Sequence, residues 1–110
     1  MLYNVGYNFS MYSVQTTEEF DAWFGGLRDL QAKARIHARI DRAESGNFGD
    51  CKPVGEGVSE MRIHYGPGYR VYFKRFGLQL VIVLAGGDKS GQAADIATAL
   101  RLAQALGEGE

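Results

Sequence analysis

Apolar and polar residues alternate from Ser59 to Phe73, SEMRIHYGPGYRVYF, which predicts a β-hairpin with two unlike faces. Met61, Ile63 and Tyr65 fall on one face, and Glu60, Arg62 and His64 fall on the other. Gly66-Pro67-Gly68 supplies proline's fixed φ and glycines able to adopt positive φ, as a turn between antiparallel strands requires. After it, Val71 and Phe73 continue the apolar face, while Arg70, Tyr72 and Lys74 continue the polar one.

The same periodicities predict the rest of the chain. MYSVQ, Met11 to Gln15, reads as a short strand. Thr16-Thr17-Glu18-Glu19 fits a capping box between Thr16 and Glu19, followed by a helix whose apolar stripe is Phe20, Trp23, Phe24 and Leu27. A second helix, roughly 29–44, sets Leu30, Ala34, Ile36, Ile40 and Ala43 on one side and its arginines on the other. Turn formers from Ser45 to Asp50 end the helical region. A brief strand at 52–54 and longer ones at 58–65, 69–75 and 78–85 follow, the last apolar on both faces and so expected to be central and covered twice. Gly86 to Ser90 leads into a helix carrying Ala93, Ile96, Ala97, Leu100 and Ala103. This order predicts an α+β fold, with an antiparallel sheet, an N-terminal helical hairpin and a C-terminal helix.

Composition narrows the setting. With 110 residues, 45% of them apolar, the chain suffices for one core. It holds no run of about 18 apolar residues, so no membrane partner is expected and the expected compartment is the cytoplasm. Its lone cysteine, Cys51, cannot close an internal disulfide and lies in a polar turn without an activating environment. The net charge of −1 conceals segregation: between Gly57 and Lys89 stand Arg62, Arg70, Lys74, Arg75 and Lys89 against Glu60 and Asp88. Arg28 to Arg42 is basic as well. Local cationic fields of this kind attract polyanions.

Arg62 and Arg70 flank one short turn, close enough to grip one phosphate through charge-assisted hydrogen bonds. Lys89 adds a point charge, and Lys74, Tyr72 and Arg75 are candidate substrate-binding side chains. Histidine is the side chain suited to moving a proton near neutrality, so His64 is the candidate for that role, with Tyr65 or Tyr72 as weaker assistants. The opposing reading makes this face an ordinary polar sheet surface with cross-strand pairs. Asp88 reads as a helix cap, and His37 as a solvated helix residue. No metal or cofactor is expected, because two histidines without cysteine partners do not make a zinc site.

The segment RIHARIDRAESGNFGDCKPVGEGVSEMRIHYGPGYRVYF, with the later LAGGDKSGQAADI, resembles the RelE/ParE toxin superfamily, and within it the HigB-like addiction-module killer proteins. The resemblance spans Met11 to about Leu106. Residues 1–10 are an extension outside it, which leaves both Met1 and Met11 open as the start of translation, and 107–110 read as a frayed tail. It implies a RelE-like fold and the toxin of a type II toxin–antitoxin pair, whose partner is a helix-turn-helix antitoxin. It further implies ribosome-dependent cleavage of messenger RNA by attack of a 2′-hydroxyl on the adjacent phosphate. Arg70 matches the family's phosphate-binding strand arginine, Arg62 the basic position on the preceding strand, and Lys89 the basic residue after the last strand. Three features depart from the family: the pI of about 6.1 is low, the lysine-rich strand appears as Met61-Arg62-Ile63-His64, and the family's C-terminal tyrosine or histidine has no counterpart after Leu106. The general acid and base are therefore unassigned. Two alternatives stand beside the nuclease, a ParE-like gyrase poison and a non-catalytic interaction module, and the question of a homodimer is open.

Overall fold

A computed structural model describes residues 11–107. The proposed extension at 1–10 and nearly all of the expected tail lie outside the described residues. The elements are β1 (Ser13–Thr16), α1 (Glu18–Gly25), α2 (Leu30–Glu44), β2 (Cys51–Gly55), β3 (Val58–Ile63), β4 (Tyr69–Phe76), β5 (Leu80–Asp88) and, after a single 3₁₀ turn at Lys89–Gly91, α3 (Gln92–Ala105). Five strands in the order β1-β5-β4-β3-β2 form one sheet. The fold is α+β, with helices on both sides of the strands.

The sheet is mixed, which corrects the expectation of an antiparallel one. β2 to β5 form an antiparallel meander, but β1 runs parallel to β5, pairing Ser13 with Leu80 and Thr16 with Val83. A parallel neighbour needs a long crossover, and here α1, α2 and β2 to β4 supply it. β4 is the middle strand. β5 lies beside it, interior and covered on both faces as its composition demands.

Helix starts follow local chemistry, with one shift. Thr17, not Thr16, caps α1: its Oγ accepts the Phe20 amide at 3.0 Å and donates to the Leu84 carbonyl at 2.6 Å. Thr16 instead donates to Asp21 at 2.7 Å. Asp29 caps α2 by accepting the Gln31 and Ala32 amides. Asp88 accepts the Ser90 amide at 2.9 Å and caps the 3₁₀ turn, in keeping with its reading as a cap.

Two clusters make the core, one on each face of the sheet. On one face, Phe20 of α1 and Ala32, Ile36 and Ala43 of α2 pack on Met61, Ile63, Val71, Phe73, Val81 and Val83. On the other, Ala99 and Ala103 of α3 pack on Val58, Tyr72, Leu84 and Ala85. The helical stripes differ in detail from the expected ones: Leu30, Ala34, Ala93 and Ala97 are exposed, and Ala32 and Ala99 take buried places. Alanine tolerates either environment, so it marks a helix better than it marks the buried side.

Adjacent Leu84 and Ala85 both face α3 because β5 carries a bulge. Tyr72 pairs with Ala85 and Phe73 with Val83, leaving Leu84 as the extra residue. Beyond the bulge, Gly86 faces Trp23 of α1, and Gly87 faces Asp95 of α3. A Cβ at Gly86 would overlap the Trp23 ring, and one at Gly87 would overlap the Asp95 carboxylate. The strand therefore runs through Gly86-Gly87 to Asp88, where the sequence suggested a loop. Among the described residues no helix is long and apolar enough to cross a membrane.

Candidate functional site: a cationic recess at the end of the meander

Three parallel rows of side chains cross the sheet on its α3 face: Val58–Lys74–Ile82, Glu60–Tyr72–Ala85 and Arg62–Arg70–Gly87. α3 covers the first two. Its first residue, Gln92, already bonds Glu60, so the helix begins too late to cover the arginine row. The supposed solvent-facing polar surface is therefore largely interior. What stays open is its last row, at the hairpin turn.

There a recess of about 170 Å³ is lined by Arg62, Ile63, His64, Gly68, Tyr69, Arg70 and Lys89. Arg62 ends β3, Arg70 directly faces it on β4, and Lys89 follows β5 with its stem against Gly68. Gly66 and Gly68 hold positive φ, at 56° and 84°, in the turn that brings these strand ends together. All four residues expected to carry chemistry, Arg62, His64, Arg70 and Lys89, thus share one cleft.

Directly opposed cations repel, so each arginine needs its own counter-charge. Asp50 serves Arg62, with Oδ1 3.2 Å from Nη2. Glu60 serves Arg70, with Oε1 2.9 Å from Nη1. Glu60 is fully buried, and its Oε2 also accepts from Tyr72 Oη at 3.0 Å and Gln92 Nε2 at 2.7 Å. A buried carboxylate is tolerable only when paired and bonded in this way. Burial first, and then the bond to Glu60, raise the Tyr72 pKa well above the ordinary phenol value. Arg62 Nε and Arg70 Nε are buried without a partner among the described residues.

Asp50 holds a second residue. Its Oδ2 lies 2.6 Å from His64 Nε2, and this bond is the main reason the carboxyl stays below its usual range. The turn that presents Asp50 is fastened from α2: Arg39 donates to the carbonyls of Arg62 at 2.6 Å, Phe48 at 3.1 Å and Asp50 at 3.3 Å. Burial lowers the Arg39 pKa, in keeping with this structural employment. On the far side of His64, Arg35, Arg39 and Arg42 line a second recess. His64 stands between two cationic surfaces.

The expected substrate-binding trio is not in the cleft. Tyr72 is wholly buried in the Glu60 network and cannot meet a substrate. Arg75 lies on the opposite face, its guanidinium 4.7 Å from the Phe48 ring. Lys74 sits two rows away, over Phe76 at 5.2 Å. Tyr65 donates to Asp29 at 3.1 Å and is stacked under Arg35, so it is engaged elsewhere. His37 pairs with Asp41 on the exposed side of α2, as a solvated helix residue does. Asp50, Glu60 and Gln92 were not singled out from the sequence, although all three fall within the segments that carry the toxin resemblance.

The fold and recess define a small α+β protein with a recess lined by two arginines, a lysine and a histidine. The chain is 54% identical over 94 residues to an uncharacterized protein of Haemophilus influenzae, an alignment covering 86% of this chain and 95% of that protein. It belongs to the same family as that protein. No protein-family model and no solved structure matches it.

Proposed function

We propose that this protein is a metal-independent ribonuclease, acting as the toxin of a toxin–antitoxin pair on ribosome-bound messenger RNA. The observation that carries the reading is the opposed Arg62–Arg70 pair, each guanidinium anchored by one carboxylate and retaining a buried, unpartnered Nε–H. A buried donor without an acceptor costs roughly 1–3 kcal/mol, which a bound phosphate oxygen relieves. The toxin and ribosome assignments rest on the sequence resemblance.

In the reaction, the 2′-oxygen bonds to phosphorus as the P–O5′ bond breaks, leaving a 2′,3′-cyclic phosphate and a 5′-hydroxyl. Arg62 and Arg70 hold the phosphate and stabilise the charge that builds on its oxygens. Lys89 adds a third cation at the rim. His64 takes the 2′-hydroxyl proton, water protonates the leaving 5′-oxygen, and the imidazolium neutralises the resulting hydroxide. The second basic surface, on α2, is placed to follow the backbone beyond the scissile phosphate.

Induced expression in a bacterial host tests this. The expected result is arrested translation with messenger RNA cut at codon-related positions, and a loss on the order of 10²-fold or more for Arg62→Ala. DNA breaks trapped on gyrase, or unimpaired growth with intact RNA, would overturn the nuclease.

A further inference from the structure

We propose that Asp50 is a positioning residue that sets which nitrogen of His64 is presented to a ligand: it holds Nε2–H and leaves Nδ1 as the proton acceptor. The chemistry served rests on the ribonuclease reading, whereas the arrangement itself stands on geometry. An ionised carboxylate only accepts hydrogen bonds. The ring nitrogen 2.6 Å from Asp50 Oδ2 therefore carries the proton, and the neutral imidazole has its lone pair on Nδ1. Nδ1 has no bonded partner among the described residues, and the His64 side chain is 77% exposed.

The carboxylate is aimed by its surroundings. Its other oxygen is occupied by Arg62 Nη2, so rotating away from His64 would also break an ion pair. Its backbone is fixed from both directions, because the Asp50 carbonyl accepts the Arg62 amide at 2.9 Å as well as the Arg39 guanidinium. Asn47 accepts the Gly49 amide, and Gly49 holds φ of 65° against the Arg39 guanidinium, where a side chain would collide. One acidic side chain on an anchored turn thus couples a phosphate-gripping arginine to a proton-accepting histidine. Histidines whose far nitrogen is held by a carboxylate are oriented and stabilised in the charged form that proton transfer creates.

Two measurements on the full chain test this. In the ¹⁵N-histidine-labelled protein at neutral pH, His64 is expected to show a proton resonance on Nε2, kept from rapid exchange by the carboxylate, and Asp50→Ala is expected to erase it. In RNA cleavage, Asp50→Ala is expected to lower kcat by about 10-fold, less than the roughly 10²–10⁴-fold that a general base itself supplies. The same change made in a His64→Ala background is expected to cost several-fold less, the remainder coming from the lost Arg62 ion pair. Asp50→Glu, which keeps the carboxylate, is expected to restore part of both signals. A His64 proton found on Nδ1, no bonded Nε2–H, or an undiminished Asp50→Ala effect in the His64→Ala background would overturn the assignment. The two readings separate: a protein that shows the bonded Nε2–H and its loss in Asp50→Ala but cleaves no RNA sinks the ribonuclease alone. One that cleaves RNA without that resonance sinks the role of Asp50 alone.

Discussion

Arg70 serves the fold and the site at once, because the guanidinium that faces the recess also neutralises the buried Glu60. A simple Arg70→Ala change is therefore expected to strand a carboxylate in the interior and, on the proposed ribonuclease reading, to slow cleavage as well. Breaking a buried pair by removing one partner costs about 3–5 kcal/mol. The double variant Arg70→Met with Glu60→Gln removes both charges, and is expected to recover most of the stability lost by Arg70→Ala. Its activity is expected to stay low. Denaturant titration of the variants, beside their cleavage rates, separates the two roles. At this scale the sequence was a good guide to which residues are cationic and share a row. It was a poor guide to burial: Glu60 and Tyr72 alternate correctly with the polar set, yet a helix 20 or more positions later covers them, and nothing local announces that cover.

At the scale of elements, the informative region is the end of β5. Periodicity ends the strand at Ala85 because Gly86-Gly87 looks like punctuation, but the ladder continues to Asp88. The glycines are there because Trp23 from α1 and Asp95 from α3 press against the strand from opposite faces. Gly86→Ala is expected to destabilise the protein by about 1–3 kcal/mol, the ordinary cost of overpacking, through displacement of the Trp23 ring. A lowered midpoint in urea with an unchanged slope would be the signature. Apolar spacing located each helix and the meander strands, since those depend on nearby residues. The parallel pairing of β1 with β5 depends on partners more than 60 residues apart in sequence. Alternation predicts a strand, not its neighbour.

For the whole molecule, pH provides the most direct readout of how the charges were placed. The Asp50 carboxyl is depressed by its bond to His64, so its contribution is present above the unfolded carboxyl pKa of about 3.9 and is lost as pH falls through the folded value. Tyr72 is raised by burial and by Glu60, so its contribution is full below about pH 10 and fades as pH rises toward the folded value. Asp95 is also raised, by burial and then by Asp88. Its folded state favours the neutral acid, and that preference is satisfied only below the unfolded carboxyl pKa. Asp95→Asn is accordingly expected to raise Tm at pH 7, with the gain closing as the pH falls into the carboxyl range. Calorimetry across that range checks the sign. A gain that persisted in acid would assign the effect to packing against Gly87 instead of charge.

The bulge at Leu84 gives strand length a meaning of its own. Removing that single residue would put β5 back in even step with β4, with Val83 still opposite Phe73 and Ala85 still opposite Tyr72. Gly86 would keep its place against Trp23 and Gly87 its place against Asp95, while Asp88 and Lys89 would still arrive at the rim in phase. β5 can thus give up one residue at Leu84, losing an apolar contact with α3 and the carbonyl that Thr17 bonds, while every residue of the recess keeps its place.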